Sequence, residues 1–328
     1  MFNPKVSVII LSYNQNEYIA DAINSVLNQT YSNLEIIISD NGSNDGSKDI
    51  IKKFAEQDPR IIFLDYPENY KITVRQNKAA QISTGDFISL LYGDDYYLPN
   101  KIESQLTIFQ NLSLDWGVVH GPGFREDVKT LKRDLEPVTK AHGESLLSLL
   151  RSFSDGFINP IAPLVRRECY LLNQSFEELF TEGEGVFFRF ALKYKFYYVD
   201  EPLVVMREHD KNMGKAIIKN GEVHSYCMRK IAEHPEFPIE YTKFLRKHES
   251  DHMFGVGFEC LKQNIDIKKG IKLIRSSATI YPLNLLRINF LGVFLLSLLP
   301  NIFLKTLLAL LSFLFQWNDQ KSLDDYYS

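Results

Sequence analysis

Residues 6–47 read VSVIILSYNQNEYIADAINSVLNQTYSNLEIIISDNGSNDGS, and the fold is decided there. Val6 to Leu11 is an unbroken apolar run of strand length, Glu17 to Gln29 repeats its apolar residues at helical spacing, and Leu34 to Ile38 is a second apolar run. Working outward, a helix follows over 48–56, strands over 61–64 and 87–91, and a helix over 74–82 between them. Strand and helix in alternation predict an α/β fold with a mostly parallel sheet flanked by helices. In such sheets ligands gather beyond the carboxyl ends of the strands. That places the candidate chemistry at Tyr13-Asn14, at Asp40 to Ser47, and at Tyr92 to Asp95.

The chain has 328 residues with 41 acidic and 37 basic side chains, a formal charge of −4. A dedicated nucleic-acid binder would show a basic surplus to neutralise phosphates, so nucleic acid is not expected as a partner. Cys169, Cys227 and Cys260 are odd in number and widely spaced, which signals neither a disulfide framework nor a thiolate metal site. The N-terminus lacks a secretory pattern, so the protein is expected to be cytoplasmic. After about Asp115 the strand–helix alternation loosens, and after Met213 helical spacing dominates. The expected division is therefore 1–213 and a helical extension over 214–328.

Near the end, 288–317 reads INFLGVFLLSLLPNIFLKTLLALLSFLFQW, with Lys305 its single charge. Pro300 cuts this run into two pieces, each short for crossing a bilayer. A hairpin lying on the membrane surface, or closing onto a partner such as a second copy, fits its polar stripe of Asn301, Lys305, Ser312 and Gln316. A hairpin of the protein's own core has the same periodicity.

The turn Asp40-Asn41-Gly42-Ser43-Asn44-Asp45-Gly46-Ser47 is built of residues that tolerate positive φ or bond their own backbone. It is no EF-hand, because counting from Asn41 the twelfth residue is Lys52 where a glutamate is needed. A dinucleotide fold would need a glycine-rich loop after the first strand, and that loop reads Ser12-Tyr13-Asn14-Gln15-Asn16. At the exit of the strand over 87–91, the adjacent carboxylates of Asp94 and Asp95 repel each other, and a divalent cation would relieve that repulsion. Their hard oxygens suit magnesium or manganese shared with substrate phosphates.

Taken with NKAAQISTGDFISLLYGDD at 77–95, the opening stretch resembles the bacterial family 2 inverting glycosyltransferases, which have the GT-A fold. SVLNQTY, the acidic Gly-Ser turn, the Thr84-Gly85-Asp86 strand entry and the Asp-Asp exit occur in order. The resemblance implies that Tyr13 lies against the nucleotide base, that Asp40 accepts from the base edge, and that Asp94 lies near the ribose or donor sugar. It implies Asp95 as ligand to Mn2+ or Mg2+. Asn69, Arg75 and Asn77 fall where relatives place donor-binding residues, although Gln76 stands at the usual arginine. Tyr92 replaces the first aspartate of the common Asp-x-Asp-Asp pattern.

An inverting transfer needs a base for the acceptor hydroxyl. The matching segment is Phe180 to Arg189, where Glu182 and Glu184 are both candidates and Gly183 occupies the usual position of the base. Downstream, Glu201-Pro202-Leu203 followed by Arg207-Glu208-His209 resembles the family's strand and its Arg-x-His. This implies Arg207 on phosphate and His209 in the metal shell or on the diphosphate. The implied partners are a nucleotide-sugar donor, expected to be UDP-linked, and a lipid-linked or polysaccharide acceptor at the inner membrane face. Two rivals stand beside this reading. His248-Glu249-Ser250-Asp251-His252 satisfies the zinc-protease pattern H-E-x-x-H, although its charged neighbours read as a solvated helix. Gly183 leaves room for a non-catalytic partner module.

Overall fold

The structure is a computed structural model describing residues 2–151, 157–212 and 216–298. Within these, the chain forms two compact units. One comprises 1–146 with 157–212, and the other 147–156 with 213–328. The short segment 147–156 therefore belongs with the helical unit, whereas the sequence pattern assigned it to the first. The part of the apolar tail from 299 onward lies outside the described residues.

In the first unit, β1 (Val6–Ser12), β2 (Leu34–Asn41), β3 (Ile61–Tyr66) and β4 (Phe87–Tyr92) alternate with α1 (Ile19–Leu27), α2 (Ser47–Gln57) and α3 (Ile72–Ile82). Further along lie β5 (Tyr96–Tyr97), α4 (Lys101–Phe109), β6 (Trp116–His120), β7 (Gly123–Asp127) and β8 (Arg133–Leu135), while α5 (Leu146–Arg151), next in the chain, belongs from 147 on with the helical unit. They are followed by β9 (Leu164–Arg166), α6 (Arg167–Leu172), α7 (Gly185–Lys193), β10 (Lys195–Tyr198) and β11 (Val204–Glu208). The main sheet runs β10-β6-β9-β4-β1-β2-β3, and only β9 is antiparallel to its neighbours. A smaller sheet runs β5-β11-β7-β8.

β1 is buried along its whole length, because it is paired on both edges and covered on both faces. α1 presents Ile19, Ala22, Ile23 and Val26 to this core, at the spacing that puts them on one helix face. Chain order reverses at β1. Register sets Ser12 opposite Asp40 on β2, and Leu11 opposite Tyr92 on β4, so the three exit loops lie side by side. The Thr84-Gly85-Asp86 entry does its work at the other end of the strands. Buried Glu35 accepts from Ser7 Oγ at 2.6 Å and Thr84 Oγ1 at 2.6 Å. A Cβ on Gly85 would stand 2.7 Å from the Ser7 amide nitrogen, so only glycine fits.

The second unit contains α8 (Ile217–Ala232), α9 (Thr242–Lys262), α10 (Ile267–Ile280) and α11 (Ile288–Leu296). α9 and α10 approach at Gly257 and Gly270, where a Cβ on either would lie within 2.9 Å of the other's carbonyl oxygen. The H-E-x-x-H stretch sits on α9, and its surroundings correct the reading of a solvated helix face. His248 is buried, its Nε2 lies 3.1 Å from His224 Nε2 on α8, and the His252 ring stacks on His224 at 3.8 Å. Among the described residues, no three His, Cys, Asp or Glu side chains converge as a ready-made metal shell. No described helix is long and apolar enough to cross a membrane.

Burial holds His248 down at about 4 and His252 at about 3, and it lowers His224 too, with the neighbouring imidazoles adding to the effect there. These groups stay neutral in the fold but take up protons in the unfolded chain near 6.5, so acid favours unfolding. The helical unit is expected to lose stability as pH falls from about 6.5 towards 4, by up to about 1.4 kcal/mol per pH unit for each histidine. Amide hydrogen exchange over α8 and α9 checks this, and protection that does not change with pH across that range would contradict it.

Candidate functional site

The loops after β1 and β2 are stitched into one floor. Ser43 Oγ accepts from the Asn14 amide at 2.8 Å, Ser47 Oγ from the Gln15 amide at 2.9 Å, and Asp45 Oδ2 from the Asn16 amide at 3.0 Å. Asn14 at φ 53°, Gly42 at 76° and Gly46 at 99° turn the backbone through the left-handed region. Tyr13 stands on this floor with 43% of its surface exposed. Asp40 lies within it, fully buried. Its carboxylate accepts from Ser12 Oγ at 3.1 Å, from the Ser43 amide at 2.9 Å and from Ser43 Oγ at 2.6 Å. In this structure its oxygens hold the turn, with Oδ1 accepting a single bond and Oδ2 two.

Two residues on α3 likewise bond the protein itself. Arg75 is 2% exposed and donates from Nη1 to the Ser39 carbonyl at 2.7 Å, beneath the ends of β1 and β2. Burial lowers its pKa to about 10, and Asp40 opposes that shift. Asn77 donates to the Ser175 carbonyl at 2.8 Å and accepts from the Ser175 amide at 2.9 Å. Thr73 donates to the Leu179 carbonyl at 2.6 Å. α3 thus fastens segment 175–180 to the floor and offers neither Arg75 nor Asn77 to a ligand. Asn69 is exposed beside the floor and accepts from Asn41 Nδ2 at 2.5 Å.

Asp94 and Asp95 leave β4 through Gly93, where an added Cβ would press on Ile19 Cδ1 at 3.2 Å. Asp95 is buried, and its Oδ1 accepts from the Arg207 amide at 2.8 Å. Burial first, then the neighbouring Asp94 charge, push its pKa well above the usual carboxylate range. The Arg207 guanidinium donates to the Asp94 carbonyl at 3.3 Å and to Asp21 Oδ2 at 2.6 Å, between the rings of Tyr18 and Tyr96. His209 Nε2 lies 3.1 Å from Asp94 Oδ2, and its ring stacks on Tyr18 at 5.3 Å. The Lys211 amide donates to His209 Nδ1 at 3.2 Å. That bond leaves the neutral ring's proton on Nε2, the tautomer of a hydrogen-bond donor. In this arrangement His209 suits an acidic or anionic partner, and a place in a metal shell would require the other tautomer.

The two candidate bases separate clearly. Glu182 is buried in a two-pronged ion pair with Arg189, which reaches it from both Nη1 and Nη2, and it also accepts from the Phe176 amide at 3.1 Å. Its oxygens are committed, which corrects its candidacy. Glu184 is half-buried at the N-cap of α7 and makes no capping bond. Gly183 before it turns the chain at φ +56°. Burial, and secondarily Glu136, raise the Glu184 pKa well above its ordinary value, while Arg125 opposes. Its charge is also felt by Tyr92 at the exit of β4, the same end of the sheet as Asp94.

The family model described as glycosyl transferase family 2 matches residues 7–169. That stretch is a glycosyl transferase family 2 domain. An uncharacterized glycosyltransferase of Rickettsia typhi is 30% identical over 214 residues, covering 64% of this chain and 65% of that protein. The putative teichuronic acid biosynthesis glycosyltransferase TuaG of Bacillus subtilis is 38% identical over 112 residues, covering 34% of this chain and 44% of TuaG. Each match spans less than two thirds of the relative's length. Among solved structures, residues 1–349 of S. aureus TarS in complex with UDP-GlcNAc superpose with a TM-score of 0.66 at 16% identity, covering 85% of this chain and 82% of that one. The mannosyltransferase PcManGT of Pyrobaculum calidifontis, in complex with GDP-Man and Mn2+, gives 0.60 at 14% identity, covering 97% and 89%. At such identities the likeness shows the fold, which is GT-A.

Sequence reasoning missed the polar residues that this family 2 domain draws from its small sheet. Arg125 pairs with Glu136 at 2.6 Å, and Asn159 donates to the other Glu136 oxygen at 2.6 Å. Glu126 accepts from Tyr96 Oη at 3.0 Å and from Arg133 Nε at 2.6 Å. None belongs to a linear motif; they converge only because β7, β8 and β11 pair. The contrast between the two glutamates yields a stability test. Glu182→Ala leaves Arg189 buried without its charge partner and is expected to cost about 3–5 kcal/mol. Glu184→Gln removes a carboxylate held against burial and a like charge, so it should be neutral or stabilising. Urea denaturation of both variants checks the pair, and equal losses would contradict the assignment.

Proposed function

We propose that the chain is a metal-dependent inverting glycosyltransferase. It moves a sugar from a nucleotide donor, UDP-linked, to a hydroxyl of a lipid-linked or polysaccharide acceptor in bacterial surface glycan synthesis. The observation that carries the reading is the meeting, at one end of a family 2 sheet, of the Asp94–Asp95 pair, the Arg207 and His209 donors, and Glu184 with its raised pKa. The UDP-GlcNAc complex of TarS and the putative teichuronic acid biosynthesis role of TuaG support the donor and acceptor classes.

Exposed Tyr13 offers a face to the base, and Asn69 an amide beside it. The Asp94–Asp95 donor set fits Mn2+ or Mg2+. Burial and the neighbouring Asp94 charge make an ionised Asp95 costly, a cation relieves that cost, and such ions complete their shells with phosphate oxygens and water. Bound there, the cation would neutralise charge on the departing diphosphate. Asp95 would be its main ligand, with Asp94 between it and the donor sugar or ribose. Arg207 and the Nε2 proton of His209 serve the diphosphate directly, aimed at charge that grows as the sugar departs. Glu184 takes the acceptor hydroxyl's proton while the acceptor oxygen bonds to the anomeric carbon. The bond from that carbon to the diphosphate breaks on the opposite face, and configuration inverts.

The acceptor's home is read as the inner face of the cell membrane, where the protein sits peripherally through its helical extension. Asp95→Ala should reduce transfer from a nucleotide sugar by several orders of magnitude while the fold is kept, and full turnover in excess chelator would remove the metal role. Glu184→Gln should lower kcat by about 100-fold or more, whereas Glu182→Gln acts through stability. The base must be ionised to work, so the wild-type rate should rise as pH climbs through the raised Glu184 pKa and level off above it. Glu184→Gln should lose that limb, and an unchanged profile would move the base elsewhere.

A further inference from the structure

The end of the second unit carries a surface that neither the site nor its chemistry explains. From Lys262 to Leu298 there are six bases and one acid, Asp266, a net charge of +5 in a protein of −4. α10 buries Gly270, Ile271, Ile274, Ser277 and Ala278, and so turns Lys268, Lys272 and Arg275 outward along its opposite face. Glu222 and Asp251 take up Lys269 and Arg287, while Lys268 and Lys272 are exposed.

α11 lies against the same core. Phe290 stacks on Phe254 at 4.3 Å, and Val293 and Phe294 pack on Leu261, Ile271 and Ile274. Its other face shows Leu291, Leu295 and Leu298, and the turn before it shows Leu283 and Leu286, the last 81% exposed. Arg275 donates from Nη2 to the Ser297 carbonyl, which joins the basic stripe to the end of the leucine stripe. The sequence then continues as an apolar run in which Lys305 is the single charge up to Trp317.

We propose that this end of the unit, which exposes Lys268 and Lys272 on α10 and Leu286, Leu291 and Leu295 before and on α11, docks on a bilayer surface that carries anionic lipid. Leucines set into the interface supply apolar burial, and lysines flanking them meet negative headgroups. The proposal deepens the membrane-face reading above and rests on it for what docking achieves, namely access to a membrane-held acceptor.

The test uses the full chain with vesicles of phosphatidylcholine, with and without phosphatidylglycerol, read by co-sedimentation. Wild type should favour the anionic vesicles and lose that preference in high salt. Lys268→Gln with Lys272→Gln should weaken anionic binding by about 25-fold, and Leu286→Ser with Leu291→Ser should weaken binding to both vesicle types. Nucleotide-sugar hydrolysis in solution should be unchanged in both double variants, with circular dichroism confirming their fold. Equal binding to neutral and anionic vesicles would overturn the proposal, as would a lysine double variant that keeps wild-type preference. So would self-association without vesicle binding, because a second copy would then cover the leucines. Docking that persists in a chain without any sugar-nucleotide activity would instead sink the glycosyltransferase reading and leave the docking face standing.

Discussion

One hydrogen bond, from the Arg207 amide to Asp95 Oδ1 at 2.8 Å, ties the two sheets of the first unit together. Asp95 leaves the main sheet at β4, and Arg207 sits on β11 of the small sheet, so their contact fixes where each sheet ends relative to the other. Everything polar at the carboxyl end depends on that placement. It brings the Arg207 guanidinium over Tyr18 and Tyr96, and His209 against Asp94. A buried carboxylate beside a second one is costly, and a backbone donor recovers only part of the cost. The site is therefore held under electrostatic tension that a cation or a bound diphosphate with its counter-ion can discharge.

The rest of the first unit keeps that tension in place. β1 lies between β2 and β4, and the register that sets Ser12 opposite Asp40 makes the floor of the first two loops continuous with the Asp94 exit. α3 extends the same rigidity to the segment before α7 by pinning 175–180 through Thr73 and Asn77. Floor and the approach to α7 are thus fastened by one helix.

Much of the fold could be read from the sequence because β1, β2 and β4 are buried on both faces and show as plain apolar runs. The Asp94–Asp95 exit stood out only through the family resemblance, since two adjacent carboxylates after such a run suit a solvated turn equally well, and the sequence does not show that Asp95 is buried. Other features were hidden for a common physical reason. Asp40, Arg75, Asn77 and Glu182 are polar residues in the right segments, and sequence does not reveal that each is buried and bonded to the protein itself. The reverse error hid Arg125, Glu126 and Glu136, which lie on short irregular strands where periodicity is weak. His248 was misread because charged residues flank it on the helix, while α8 covers its own face with His224.

Gly183 bears on how such a site changes over generations. It adopts φ +56°, and a Cβ added there meets nothing within 4 Å, so the position has space but an awkward backbone. Aspartate is among the few side-chain-bearing residues that visit this conformation routinely, with a penalty of roughly 1–2 kcal/mol for L-residues at large. Gly183→Asp would thus place an acid directly before Glu184, with open space for its Cβ. A lineage could in this way carry two adjacent acids for a time and afterwards discard either one. The proton acceptor can drift by a residue along the loop, with no ancestor obliged to lack one.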